Sequence, residues 1–273
     1  MSLPDRSVKH SSAPALAGEP AGTTCDAILA GKLKIYQPKS GPRAGIDAVF
    51  LAAAVPATGK NGEHALEVGS GCGVVALALA GRVEGVQVTG LELQTELCQL
   101  AERNASANGL GDRVHIVRED MQAPRERLEA LGLGLERFDH VIANPPFNTE
   151  GQARKCSEPA KTRAHMARAG ALDRWIRFLT AMAVPHGCLT MIHRADALAS
   201  LLELLDGRFG ALSVFPLFPH ANEPASRIIV QGIKGSRAPL NLSAGLVLHD
   251  AGGGYTRDAE RVLRDGRALV LMA

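Results

Sequence analysis

The sequence has no Cys-x-x-Cys pair, no internal repeat, no long linker and no strong charge of either sign. It also lacks an apolar run of the roughly 18 residues that a membrane-spanning helix needs. Each absence removes a class. The five cysteines, Cys25, Cys72, Cys98, Cys156 and Cys188, are scattered and odd in number. Their spacing fits neither a disulfide frame nor a metal site, and suits reduced thiols. A net charge of +2 leaves nucleic-acid binding to local clusters of charge rather than to bulk composition. The stretch from Met1 to Pro20 is broken by Pro4, Pro14 and Pro20 and has no apolar core. It does not read as a signal peptide, so a cytoplasmic location is expected, with no membrane and no metal.

What is present suits one α/β domain with modest extensions: 273 residues, 46% of them hydrophobic. Residues 1–22 form an aperiodic leader, expected to be disordered, and 23–60 an N-terminal extension. The catalytic core is expected over 61–235, with 236–273 a tail packed on it. In the extension, Leu33 to Tyr36 suggests a hairpin strand, and 47–55 an apolar helix stopped by Pro56. Strands are then expected at 64–68, 86–91, 114–117, 138–143, 188–193, 212–215 and 227–233. Helices are expected at 74–80, 95–108, 173–184 and 195–205. Strands alternating with helices mean a mostly parallel sheet covered on both faces.

Two features carry chemistry. The first is Glu67-Val-Gly69-Ser-Gly71-Cys-Gly73, where the first core strand turns into a helix. Ligands of open α/β sheets bind at the carboxyl ends of strands, and glycine lets backbone approach them closely. Glu92 ends the next strand, where a carboxylate can accept from both hydroxyls of a ribose, and Asp120 ends the third, placed for an adenine amino group. A plain turn and a dinucleotide site are the alternatives. A dinucleotide loop wants G-x-G-x-x-G, and here the third glycine comes one residue early. S-adenosylmethionine has no pyrophosphate to rest on the helix, and suits the flatter loop.

The second feature is Asn144-Pro145-Pro146-Phe147, directly after the fourth core strand. Two prolines alone only turn a chain. At this sheet edge they do more. An amide or aromatic NH2 is a poor nucleophile because its lone pair is delocalised. The Asn144 side-chain oxygen and the next backbone carbonyl can accept one N–H each, which aims the lone pair at a methyl donor. The prolines stiffen the turn and offer no competing N–H, and Phe147 can stack on a planar target. No strong general base is needed, because the amine becomes acidic only once methylated.

With these motifs the chain resembles the class I (Rossmann-like) methyltransferases of small-domain type, and within them the bacterial tRNA1(Val) adenine-37 N6-methyltransferase family. The resemblance covers residues 24–273. Besides the two motifs it rests on the stretch from Asp26 to Pro38, on that from Gly41 to Leu51, and on Ala225-Ser-Arg227 running to Gly235. It implies a seven-stranded sheet of order 3-2-1-4-5-7-6 with the last strand antiparallel, and S-adenosylmethionine as cofactor. It also implies that 43–47 folds over the methionine end of the cofactor, with Arg43 able to hold a carboxylate and Asp47 an ammonium. The cofactor set is then Arg43, Asp47, Glu67, Gly69, Gly71, Gly73, Glu92, Asp120 and Asn144. In one respect the chain departs from the pattern: the commoner tetrapeptide ends in Tyr. Phe147 keeps stacking, but also occurs in ribosomal guanine-N2 methyltransferases.

From 151 to 177 the chain is basic, with Arg154, Lys155, Lys161, Arg163, Arg168, Arg174 and Arg177 against Glu158 and Asp173. Such a run beside the target pocket suits phosphate contacts to RNA, with Arg154, Lys155, Lys161, Arg163 and Arg168 the expected contacts. A solvated helix face, with Trp175 packing inward between Arg174 and Arg177, is the alternative. Lys234, Arg237 and Arg257 form a second basic group that can extend the surface. The expected function is methylation of adenine N6 in tRNA, in the anticodon loop. Glutamine methylation in a release factor and guanine-N2 methylation in ribosomal RNA use the same turn chemistry. The first of these usually brings a helical N-terminal domain, and the second a duplicated domain that a chain of this length does not hold.

Overall fold

The computed structural model describes residues 22–40, 43–146 and 158–271, with 158–169 described in their backbone alone. The expected leader falls outside this range except for Gly22. Strands β1 (Thr23–Ile28) and β2 (Leu33–Pro38) pair antiparallel as a hairpin, with Thr23 opposite Pro38 and Ile28 opposite Leu33. Helix α1 (Ile46–Ala54) follows, and Ala48 to Ala54 are all buried, as an all-round apolar helix must be.

The alternation then runs β3 (His64–Val68), α2 (Val74–Arg82), β4 (Gln87–Glu92), α3 (Thr95–Ala107), β5 (Val114–Arg118), α4 (Arg125–Ala130) and β6 (Phe138–Ala143). It continues through α5 (Glu158–Met182), β7 (Ala183–Arg194), α6 (Leu198–Leu205), β8 (Phe209–Phe218) and β9 (Arg227–Lys234). Last come β10 (Asn241–Leu242), β11 (Leu246–Val247) and α7 (Arg257–Leu263).

The main sheet has nine strands in the order β10-β8-β9-β7-β6-β3-β4-β5, with β11 also on β8. Without the two short edge strands, the order by rank along the chain is 3-2-1-4-5-7-6. Strand β9 is antiparallel to both its neighbours. This is the implied seven-strand topology, widened by the C-terminal tail. The tail meets β8 at Ser213–Val214 and again at Leu217–Phe218, on either side of Pro216, which has no N–H to donate.

Both faces of the sheet are buried. Ala65 of β3 packs with α1, α2, α3 and α7, while Leu66 and Val68 pack with α4, α5 and α6. Parallel strands sandwiched in this way read as continuous apolar runs, which is why they were legible.

Three expectations are corrected. Helix α5 spans 158–182 rather than 173–184, because its first half is polar and carries no apolar period. Strand β7 starts at Ala183, not 188. Its pairing with β6 shifts between Phe138 and His140, and His186 takes a left-handed φ of 64°, so a bulge hides the first part of the strand. Helices α4 and α7 were not anticipated; with Leu128 alone buried in the one, and Ala259 and Val262 in the other, neither shows a readable period.

Candidate active site

The site begins with the register of the sheet. Val68 of β3 pairs with Ala143 of β6 and with Leu91 of β4. The glycine loop, Asn144 and Glu92 therefore leave the sheet side by side. Gly69 and Ser70 both donate their backbone N–H to the Leu91 carbonyl, at 2.8 and 3.1 Å, which binds the loop to β4. Gly69 has φ of 68°, and a Cβ there would lie 2.6 Å from Cη2 of Trp175 on α5. Only glycine satisfies both conditions.

Each acidic residue is already held by backbone. Buried Glu67 reaches across the loop and accepts from the Ala76 N–H in the first turn of α2, at 3.0 Å. Burial pushes its carboxyl well above the usual carboxylate range; the Ala76 N–H works against this and the nearby charge of Glu92 adds to it. Glu92 accepts from Gly71 N–H at 2.8 Å through Oε2, and from Leu93 and Gln94 N–H at 2.9 Å each through Oε1. These bonds fix its plane and join β4, the glycine loop and the start of α3. Asp120 Oδ1 accepts from Gln122 N–H at 2.8 Å.

A cavity of about 650 Å³ lies over these strand ends. It brings together Arg43, Asp47, Glu67, Gly69, Gly71, Glu92, Asp120, Asn144, Pro145 and Pro146. Gly73 is the exception. It faces α3 instead, where a Cβ would come 3.1 Å from Cβ of Ala101, and its φ of 83° starts α2. Its glycine serves packing, not the cavity. Phe147, Arg154 and Lys155 lie outside the described residues. Lys161, Arg163 and Arg168 are on α5, where only the backbone is described. Of the second basic group, one member is placed away from these strand ends. Lys234 ends β9 at the opposite edge of the sheet, bonded to Glu136 at 2.9 Å and to the Ala183 carbonyl at 2.7 Å.

Two expected residues prove engaged. Arg43 donates to Asp26 Oδ2 at 2.6 Å, Pro38 O at 2.8 Å and Thr24 Oγ1 at 2.9 Å, so it clamps its own segment to the hairpin. Asp47 pairs with Arg227 Nε at 2.8 Å. Arg227, Trp175 and Cys72 also line the cavity, and none was assigned there from sequence. Burial pushes the Cys72 thiol up to about 11. The signal for Arg227 was a lone charge opening the apolar strand β9. The chain's single tryptophan carried only the alternative reading of a residue packing inward between Arg174 and Arg177 on a solvated helix.

A sheet of order 3-2-1-4-5-7-6 with a glycine loop after its first strand is the fold of the class I methyltransferases. Residues 44–170 match the family model of the methyltransferase small domain. In fold, and over the residues of this match, the chain is similar to the class I methyltransferases, a class whose cofactor is S-adenosylmethionine. Its curated relatives include the tRNA1(Val) (adenine(37)-N6)-methyltransferase of Porphyromonas gingivalis, 32% identical over 161 residues, covering 58% of this chain and 61% of that one. The Erwinia tasmaniensis protein of the same name is 32% identical over 123 residues, covering 45% and 46%. The match thus spans less than two thirds of the length of these relatives. Among solved structures, a predicted O-methyltransferase from Agrobacterium tumefaciens has a TM-score of 0.68 at 27% identity, covering 82% of this chain and 98% of that one. A putative transferase from Pyrococcus horikoshii, with a TM-score of 0.53 at 10% identity over 80% of this chain and 74% of its own, shares the fold.

The cavity fits the cofactor. Its volume is within the ~300–1,000 Å³ usual for small-molecule sites. Carboxylates suited to hydroxyl and amino donors stand at the ends of β4 and β5, and a charged pair, Asp47 and Arg227, lines the same cavity. Among the described residues there is no group of three or more His, Cys, Asp or Glu side chains placed to hold a metal ion. No helix among them is long and apolar enough to cross a membrane.

Proposed function

We propose that the protein methylates the exocyclic N6 of an adenine in tRNA, in the anticodon loop. The observation that carries the reading is the placement of Asn144-Pro145-Pro146 beside the glycine loop in a single cavity. S-adenosylmethionine, when bound, supplies an electrophilic methyl on a sulfonium. Glu92, held by three backbone N–H groups, orients the ribose, and Asp120 accepts from the adenine amino group of the cofactor. Asn144 Oδ1 and the Pro145 carbonyl each accept one N–H of the target amine. This turns the nitrogen toward tetrahedral geometry and directs its lone pair, a gain of orientation and charge stabilisation rather than of acid–base catalysis. The target nitrogen would take the methyl as the bond to the sulfonium sulfur breaks, and the proton that the nitrogen then loses would pass to solvent.

Adenine is favoured over guanine and glutamine by the curated relatives, whose names specify adenine 37 of a tRNA. The basic first half of α5, which follows the Asn-Pro-Pro turn, supports an RNA substrate. The test offers labelled donor with total tRNA, ribosomal RNA or release factor in separate reactions, followed by mass spectrometry of the products. N6-methyladenosine from tRNA is expected. N2-methylguanosine from ribosomal RNA, or methylglutamine from the release factor, would replace this reading with the corresponding alternative.

A further inference from the structure

The C-terminal half of the chain carries three rings outside the cavity. Strands β8 and β7 are both antiparallel to β9, and β7 is parallel to β6. The end of β8 therefore leaves the sheet at the same edge as the Asn-Pro-Pro turn. Strand β11 runs parallel to β8, with Val247 opposite Phe218, so its end reaches that edge too. His220 and His249 follow these two strand ends. Leu248 N–H donates to the Phe218 carbonyl at 2.8 Å and His249 N–H to the Pro219 carbonyl at 3.0 Å, which keeps the ends together. Tyr255 returns opposite His249 in an antiparallel bridge, and residues so opposed carry their side chains on one face. The His249 and Tyr255 rings are stacked, with centroids 4.7 Å apart and planes at 24°. The His220 ring continues the array, 5.4 Å from that of His249 and tilted by 36°. His249 and Tyr255 are half-buried and His220 is exposed, so ring surface remains for a further planar group at the His220 end.

We infer that this array is a stacking platform for an unpaired base of the RNA substrate, a base other than the one methylated; the inference rests on the RNA reading above. The tail is fastened without the rings, by Ala259 and Val262 of α7 in the core and by Ser213 Oγ, which donates to the Leu271 carbonyl at 2.8 Å. The platform is also continuous with the cavity. The connection from β8 to β9 carries His220 and ends at Arg227, which lines the cavity. Strand β8 stands three places from β6, a span of ~14 Å at ~4.8 Å per strand. At ~3.4 Å per stacked nucleotide that is about four nucleotides, within one loop of RNA. Drawing a target base into a pocket leaves its neighbours without stacking partners, and aromatic side chains replace them in single-stranded RNA. The charges nearby are mixed, with Arg257 and Glu223 both exposed, while Asp250 Oδ1 accepts from Gly252 and Gly254 N–H at 2.9 and 3.1 Å. What this surface offers is ring faces rather than a phosphate site.

The test measures binding of a fluorescently labelled tRNA anticodon stem-loop by anisotropy, over a range of salt, with S-adenosylhomocysteine present. Wild type, His220→Ala and His220→Phe are compared, with thermal melts as a check on folding. His220→Ala should weaken binding by about fivefold or more, the scale of losing one base–aromatic stack. His220→Phe keeps a ring and should bind within about twofold of wild type. The slope of affinity against salt should be the same in all three, because no phosphate contact is lost. Should His220→Ala fail to fold, ultraviolet cross-linking of the wild type to the same RNA carries the test, with a linked peptide containing His220 expected. Unchanged affinity in His220→Ala, an equal loss in His220→Phe, or links confined to other segments would overturn the platform. A shallower salt slope in His220→Ala would overturn it too, by making His220 a phosphate contact. A wild type that binds no stem-loop would instead remove the RNA reading, and the platform with it.

Discussion

Asn144 is half-buried at the end of β6, with buried Pro145 behind it and exposed Pro146 beyond. Two consecutive prolines hold φ near one value and withdraw two donors, so the acceptors of this turn face a substrate without local competition. Asn144→Ala should lower kcat by about 100-fold or more, the scale of losing alignment at a reacting centre. Calorimetry with S-adenosylhomocysteine should show nearly unchanged affinity; a parallel loss of binding would make Asn144 structural. Glu67 permits a pH test. Its folded pKa lies above the ordinary value of 4.5, so the folded chain binds more protons than the unfolded chain between these values. Stability from this residue therefore falls as pH rises from 4.5 through the shifted value. Glu67→Gln keeps an acceptor for the Ala76 N–H and carries no charge. It should melt above wild type at about pH 8 and coincide with it near pH 4. Equal differences at both ends would mean that burial does not shift Glu67.

At the scale of elements, the hairpin is joined to the core by two asparagines one turn apart, Asn104 on α3 and Asn108 at its C-terminal cap. Asn104, fully buried, accepts from Tyr36 N–H at 2.8 Å and donates to the Tyr36 carbonyl at 3.0 Å and the Cys72 carbonyl at 2.9 Å. Asn108 repeats the exchange with Lys34, at 2.9 and 2.7 Å. The side-chain amides thus act as a short second strand for β2, and Asn104 links it to the glycine loop. Asn104→Ala should destabilise the chain by on the order of 3 kcal/mol, because it orphans several buried backbone groups. Asn108→Ala, at a more open position, should cost about 1 kcal/mol. Urea titration distinguishes the two, and equal losses would contradict a special role for the buried one. None of this was readable beforehand. The segment 95–108 was legible as a helix from its apolar spacing, but an Asn inside a helix reads as a solvated polar residue until the strand it grips is known.

At the scale of the whole molecule, the cavity touches both halves of the core: α1 and α2 from one face of the sheet, and Trp175 of α5 from the other. A ligand there should stabilise the fold as one unit. At 100 times its Kd, S-adenosylhomocysteine should add about 2.7 kcal/mol. For a chain of this size that is a rise in Tm of roughly 5–10 °C. Calorimetric scans should show a single transition moving as a whole; a split transition would mean that the two halves melt independently. The sequence by itself determined the alternation of strands and helices, the glycine loop, Glu92 and the Asn-Pro-Pro turn. Those signals are local, because backbone geometry and apolar period act over a few neighbouring residues. The tertiary structure alone decided the partners of Arg43 and Asp47, the departure of Gly73 from the cavity and the arrival of Arg227. Strand β9 runs against its neighbours, so its first residue, 180 positions from Asp47, lands at the carboxyl ends of the parallel strands. No local rule encodes that meeting, which depends on the direction of a strand and its place in the sheet.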